Sequence, residues 1–364
     1  MPGRYPVGYK TVMGAFTRAE RLILAAVGVL TAAAGVMNYS GAPGLPTFAV
    51  AALALAGLAW IVSFATEQVG ARFGPAITGF LQSTLGNLPE FFIVIFALQA
   101  GEVVVAKTSL IGSLFANALL VLGLVLIVGA RAGGGLMRFS KRLPNDTTTL
   151  LILAVFIIVV IGQSVQSGNV ASHHVKAISI VGAVCLLAVY FVWLLSYLRS
   201  DQPREEAHVQ PPRVPMGASL VLLAIAGTGA AFVSDWFIGA LDPAVKSLGI
   251  SKQFAGLVLV AIAGNAVENT TGLVLARKGQ ADLAISVVKN SVAQIAAFLF
   301  PALVLVSLFF QHALTFQLAP VYTGAMLLTA IAIWQITGDG EAAEFEGAAL
   351  VALYVVLGAF ALAD

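Results

Sequence analysis

The stretch GNAVEN, Gly264 to Asn269, stands inside a long apolar run, and GNLPE, Gly86 to Glu90, stands inside another 178 residues earlier. A glycine, an amide and a carboxylate are costly in oil, so their placement there twice decides how the rest of the chain is read. Around them 59% of the 364 residues are hydrophobic and only 10% are charged, well below the roughly one quarter usual in soluble domains. The mean hydropathy is +0.96. Several apolar stretches reach the roughly 20 residues that cross a hydrocarbon core, so the expected class is an all-α membrane protein. Small residues in TAAAGVMN, 31–38, imitate a cleavage site. A second apolar run follows at once, so the N-terminus is read as mature sequence.

The pI near 8.7 accompanies a net charge of only +2, with basic residues scattered among loops. That pattern fits a positive-inside bias and argues against a nucleic-acid partner. Membrane lipids and the transported ions are the expected partners, and a homo-oligomer stays open. Cys185 is the single cysteine, which excludes an intrachain disulfide. Glycosylation sequons at Asn145 and Asn269 fall in a basic loop and in an apolar run, and both are read as chance matches.

Apolar runs broken by Gly, Pro and charge give eleven candidate helices: 22–37, 47–66, 73–98, 108–128, 147–161, 177–198, 215–238, 254–276, 283–308, 321–336 and 346–361. With a cytoplasmic N-terminus, one side collects Arg18, Arg21, Arg72, Arg131, Arg138, Lys141, Arg142, Arg199, Arg213, Arg277 and Lys278, among others. The opposite side receives only Lys107, Lys176, Lys246 and Lys252. A miscounted span would mix the two sets. The expected location is the plasma (cell inner) membrane.

One long polar linker, SDQPREEAHVQPPRVP at 200–215, separates six candidate spans from five. Sliding the chain by 178 residues places Gly86, Asn87 and Glu90 on Gly264, Asn265 and Glu268, Gly101 on Gly279, and Ser113 on Ser291. An odd number of spans per copy makes the copies enter the membrane from opposite faces, the inverted-repeat plan of secondary transporters. The expected organisation is a cytoplasmic N-terminus and first transmembrane helix at 1–45, a five-helix repeat at 46–199, a cytoplasmic linker at 200–214 and a second repeat at 215–364.

Asn87 and Glu90 are three residues apart, as are Asn265 and Glu268, so each amide shares a helix face with its carboxylate. Gly86 and Gly264 let the helix unwind and free backbone carbonyls near mid-membrane. Pro89 adds a missing amide donor in the first copy. Carboxylates, amides and carbonyls form a hard-oxygen set suited to Ca²⁺, without His or Cys at the motif positions. His173, His174, His208 and His312 all fall in loops, which argues against zinc, haem or a Ser-His hydrolase in the membrane. No cofactor and no enzymatic activity are expected. Two facing carboxylates are costly to ionise without a cation, so the empty site takes up protons and the two ligands compete. Exclusive occupancy is antiport.

At this point the sequence resembles the cation/proton exchanger family, the Ca²⁺/H⁺ antiporters of the calcium/cation antiporter superfamily. The resemblance covers nearly the whole chain. Its carriers are ATEQVGARFGPAITGFLQSTLGNLPEFFIVIFALQAG, SLIGSLFANALLVLG with Arg138 and Phe139, VSDWFIGALDPAVKSLGIS, GNAVEN, SVAQIAAFLFPALVLVS and DGEAAEFEGAALVALY. It implies cation and proton binding by Glu90 and Glu268, with Asn87, Asn265, Ser113, Ser291 and Gln294 around the ion. It also implies cation-attracting roles for Glu67 and Asp235 at equivalent span ends.

Three departures stand out. Asn269 replaces the histidine that usually follows the second glutamate. Lys289 and Asn290 stand where the family has small residues, and no acidic helix lies between the halves. Lys289 either points away from the site toward water or another partner, or brings an ammonium to the glutamates and shifts selectivity toward Na⁺ or another proton stoichiometry. Asn269, Lys289 and Asn290 are therefore candidate selectivity modulators. The expected function is Ca²⁺ export in exchange for H⁺, with Na⁺/H⁺ or Na⁺/Ca²⁺ exchange on the same fold as the alternative. A passive channel is the reading from a different class, and it needs a continuous polar path that these local motifs do not supply.

Overall fold

The computed structural model describes residues 12–73, 81, 85–199 and 212–363, and at 12–13, 142–144, 197–199 and 266–269 it describes the backbone alone. The side chains of Glu268 and Asn269, the part of the expected third span before residue 85 other than Phe73 and Leu81, and His208 with most of the linker therefore lie outside the described set. Helix α1, Arg18–Tyr39, begins at a capping box: Glu20 N donates to Thr17 Oγ1 at 3.2 Å and Thr17 N donates to Glu20 Oε2 at 2.7 Å. The two bonds satisfy donors that a helix start leaves orphaned. Next come α2, Gly44–Gly70, and the short α3, Leu88–Gln99, followed by α4, Val103–Ala132. Helices α5, Arg142–Gln166, and α6, Val175–Arg199, complete the first half.

The second half runs through α7, Met216–Leu248, α8, Lys252–Gly264, and α9, Ala266–Arg277. It closes with α10, Ala281–Phe309, α11, Pro320–Thr337, and α12, Glu344–Ala363. Among the described residues, nine helices are long and apolar enough to cross a bilayer, and 88–99 and 252–264 are shorter apolar helices. The nine overlap the candidate spans and run further at one or both ends, by one or two residues at 320–337 and 344–363 and by ten at the end of 216–248. Polar end residues such as Arg18, Glu67 and Lys246 continue the helices without adding to the apolar signal.

Helices α2 and α7 lie antiparallel and join the halves. Gly44 faces Pro243, Phe48 stacks on Phe237 with centroids 4.5 Å apart, Leu58 meets Gly229, and Gln68 Oε1 accepts from Arg213 N at 2.8 Å. Small residues at the crossing let the backbones approach, which substitutes for the hydrophobic drive that lipid does not supply. The same device brings α4 against α8. A Cβ on Gly112 would lie 2.4 Å from Leu257 O, and one on Gly256 would lie 2.0 Å from Thr108 Oγ1. Because the Leu257 obstacle is backbone and cannot rotate away, Gly112→Ala should lower stability by about 1–3 kcal/mol. A thermal unfolding midpoint at or above the wild-type value in detergent would show that the crossing is looser than described.

Helix α4 contains a π segment at Ala116–Val121, α8 one at Ala255–Val260 and α10 one at Ile295–Leu299. Such bulges are frequent at functional sites. The turns after α3 and α9 also match. Glu102 N donates to Ala97 O at 2.7 Å and Ala106 N to Glu102 O at 2.9 Å. Gln280 N donates to Leu275 O at 3.0 Å and Ala284 N to Gln280 O at 3.0 Å. Gly101 and Gly279 take φ of 77° and 74°, a region that favours glycine. At the arginine-rich end, β1, Leu136–Arg138, pairs antiparallel with β2, Glu341–Ala343, and Arg131 and Arg138 pair with Glu344 and Glu341. Large apolar side chains such as Phe156, Val192, Trp334 and Val356 face outward, as a lipid-facing surface requires.

Candidate cation site

The two motifs break their helices in the same way. Asn87 precedes α3 with φ −90° and ψ 13°, and Asn265 precedes α9 with φ −103° and ψ 14°. Neither side chain caps its helix, so each amide is released for other contacts. Pro89 falls in the first turn of α3, where its missing N–H is one that the helix start leaves unpaired in any case. Its role is thus to start a new helix rather than to open a hole in a continuous one. Glu90 and Glu268 both occupy the third position of their helices, where the positive end of the helix dipole favours an anionic side chain. Each 12-residue helix rises about 18 Å, a little over half of a core of about 30 Å. A helix of this length that reaches one membrane face has its other end near mid-depth.

The first motif touches the second. A Cβ on Gly264 would sit 3.1 Å from Glu90 Cγ and 3.5 Å from Glu90 Oε1, so the glycine leaves room for the carboxylate of the other half. Asn265, with 0% exposure, is the hub. Its Nδ2 lies 2.8 Å from each of Glu90 Oε1, Ser113 Oγ and Ala261 O. Its Oδ1 accepts from Asn117 Nδ2 at 2.8 Å, and Asn117 Nδ2 also reaches Ser291 Oγ at 3.0 Å. An amide has two hydrogens for the three oxygens it faces, so three oxygens from α3, α4 and α8 converge on a point now held by one N–H₂ group. Glu90 Oε2 and Asn87 Nδ2 are buried with no hydrogen-bond partner among the described residues. Orphans of this kind in a polar pocket mark a place where an ion or water belongs.

Glu90, Asn87, Ser113, Asn265, Ser291 and Gln294 are all buried. Asn117 joins them and lies outside the two Gly-Asn-x-x-Glu motifs. The signal was available, because Asn117 is four residues from Ser113 and shares its helix face. Lys289 is also buried, and its Nζ donates to Thr148 Oγ1 on α5 at 2.9 Å and to Thr337 Oγ1 at the end of α11 at 2.7 Å. Asn290 Oδ1 is buried without a partner among the described residues. Glu67 is partly buried near the C-terminal end of α2, whereas Asp235 is exposed on α7. The antiparallel packing puts these two toward opposite ends of the pair.

A family model described as sodium/calcium exchanger protein matches two segments, 44–198 and 218–363. The chain belongs to this family. A member similar to it is the Ca²⁺/H⁺ antiporter ChaA of Bacillus subtilis, 32% identical over 343 residues that make up 92% of this chain and 96% of the relative. The vacuolar calcium ion transporter of Schizosaccharomyces pombe is 32% identical over 318 residues, 84% of this chain and 76% of the relative. The solved structure of native YfkE superposes with a TM-score of 0.79 at 27% identity, covering 94% of this chain and all of the other. Family membership and the nine apolar helices together make this a multi-pass helical membrane protein.

Proposed function

We propose that this exchanger-family member is a secondary-active antiporter that moves Ca²⁺ out of the cytoplasm in exchange for H⁺. The observation that carries this reading is the contact of Glu90 with Gly264 and Asn265 of the other half, with Glu90 Oε2 buried and unpaired among the described residues. Ca²⁺ is the cargo, and Glu90 and Glu268 are its charged ligands. Asn87, Asn265, Ser113, Asn117, Ser291, Gln294 and the carbonyls freed at Gly86 and Gly264 supply neutral oxygens. Such a set suits a hard divalent ion that takes six to eight oxygens. For Ca²⁺ to enter, the Asn265 N–H₂ group must leave the point it occupies, and turning that amide brings its oxygen to the ion. On the return step each carboxylate carries a proton, which removes the charge that would otherwise hold the empty site still.

The same reading includes eleven spans, an extra α1 before two inverted five-helix repeats, with boundaries near 46–199 and 215–364. Three observations support it: the two matched family segments, the matching turns after α3 and α9, and the π segments at 116–121 and 295–299. The arginine-rich end faces the cytoplasm of a cell-membrane protein, by the positive-inside bias. Asn269, Lys289 and Asn290, where this chain departs from the family pattern, tune ion choice.

The test is cation-driven proton flux in proteoliposomes with Ca²⁺, Na⁺, K⁺ and Mn²⁺ in turn. An imposed proton gradient should drive Ca²⁺ uphill. Uphill movement of Na⁺ alone would assign the alternative exchange on the same fold, and dissipation without uphill movement would assign a channel. In the same assay Lys289→Met should change the Ca²⁺-to-Na⁺ rate ratio about threefold or more, as expected for removing a buried amine that can carry charge from a low-dielectric bundle. An unchanged ratio would leave Lys289 a purely structural tie between α10, α5 and α11.

A further inference from the structure

Helices α3 and α8 extend from the two motifs to the end opposite the arginine-rich one, and charged groups tie their outer ends together. Lys252 opens α8, and its Nζ lies 2.7 Å from Glu102 Oε1 in the turn between α3 and α4. The same Nζ lies 2.7 Å from Asp242 Oδ1 near the end of α7. One ammonium thus joins the motif helix of the first half to the motif helix of the second, and both to α7. Ser251 beside it caps the start of α8 by accepting from Phe254 N at 3.0 Å, while its hydroxyl donates to Ala361 O at 2.9 Å.

The opposite end has the same turn with an amide, Gln280, in place of the carboxylate. Gln280 stands 178 residues after Glu102, with φ −87° and ψ 66° against −81° and 57° and with the same backbone hydrogen bonds. The fold thus repeats the backbone and changes the side chain. A protein that presents one site alternately to two faces divides its time between two conformations, and an ion pair that joins the two motif helices at one end, with no equivalent between motif helices among the described residues at the other, shifts that division.

We propose that Glu102, Lys252 and Asp242 form an ion-pair latch that holds together the outer ends of α3 and α8 and biases the resting protein against opening to that face. Lys252 and Glu102 are positioning residues. They act on the site through the helices that carry Asn87, Glu90 and Asn265. The side chains are 21–43% exposed, and partly exposed pairs are weak. The bias expected is accordingly a few-fold, enough to tune a carrier without locking it.

Linkage fixes the sign of the test. Apparent affinity on a face is the intrinsic affinity reduced by the fraction of protein open to that face. The transport arm rests on the Ca²⁺ reading above, and KM for Ca²⁺ is measured on each face in right-side-out and everted vesicles. Glu102→Gln, which reproduces the Gln280 end, and Lys252→Met should lower KM about two- to fivefold on the latch face and raise it on the arginine-rich face. Lys252→Arg should match wild type. Equal shifts on both faces, or lower maximal rate with both KM values unchanged, overturn the latch.

A second arm is independent of the cargo. Hydrogen exchange in the full-length protein should quicken together in 88–99 and 252–264 for Glu102→Gln and Lys252→Met, and stay unchanged in 266–277. Unchanged exchange in both outer helices also overturns it. A wild-type chain that moves no Ca²⁺ contradicts the proposed function, and the exchange arm then decides the latch alone.

Discussion

Glu90→Gln and Glu268→Gln should each reduce proton-coupled Ca²⁺ flux by about a hundredfold or more while the protein still reaches the membrane. Glutamine keeps the size and one oxygen of glutamate but loses the charge that a divalent ion needs and the proton that the return step carries. Removing one partner from a buried charge pair costs about 3–5 kcal/mol, and each 1.4 kcal/mol is about tenfold in affinity. Glu90 is 6% exposed and sits against Gly264, so water has little room to replace the lost charge. The two variants should fail alike, because the two glutamates hold the same position in matching helices. A Glu90→Gln protein with normal flux and unaltered pH dependence would remove Glu90 from the site.

Asn265→Ala should be the most damaging change at an uncharged position. The Asn265 amide contacts Glu90, Ser113 and Asn117 through its two polar atoms. Its loss leaves three buried polar groups short of a partner at about 1–3 kcal/mol each, with water entering the vacated space to offset part of this. A lowered unfolding midpoint is expected, together with a rise of about tenfold or more in KM for Ca²⁺. Ser291→Ala is the milder comparison, since the hydroxyl receives one described contact, from Asn117. If Asn265→Ala lost stability but kept its KM, the amide would be a structural tie and not an ion ligand.

How much of this was readable in the chain differs from element to element. The two Gly-Asn-x-x-Glu stretches were visible because carboxylates are rare in apolar runs, and the structure breaks both helices at those positions. The nine long helices followed from hydropathy, since lipid demands an unbroken apolar length. Asn117 shares the helix face of Ser113 by spacing, yet one asparagine in an apolar helix does not by itself mark a contact with the site. It gains meaning only when α4 is packed against α8 and α10. The β1–β2 pair was hidden, since three-residue strands far apart in sequence leave no periodic pattern. Sequence alone places Pro89 inside a continuous apolar run, because its position relative to the break depends on where the new helix starts. The hydroxyls that receive Lys289 lie on α5 and α11, and spacing along α10 alone could not name them.

In the proposed exchange one acidic chamber serves metal and hydrogen ions in turn. This is tested most directly by counting the protons released when purified, detergent-solubilised protein binds Ca²⁺ in weakly buffered solution containing a pH indicator. Proton release should accompany binding in wild type, shrink in Glu90→Gln and Glu268→Gln, and saturate with the same Ca²⁺ dependence as binding itself. Saturable Ca²⁺ binding without any proton release, at every pH where the protein transports, would contradict it.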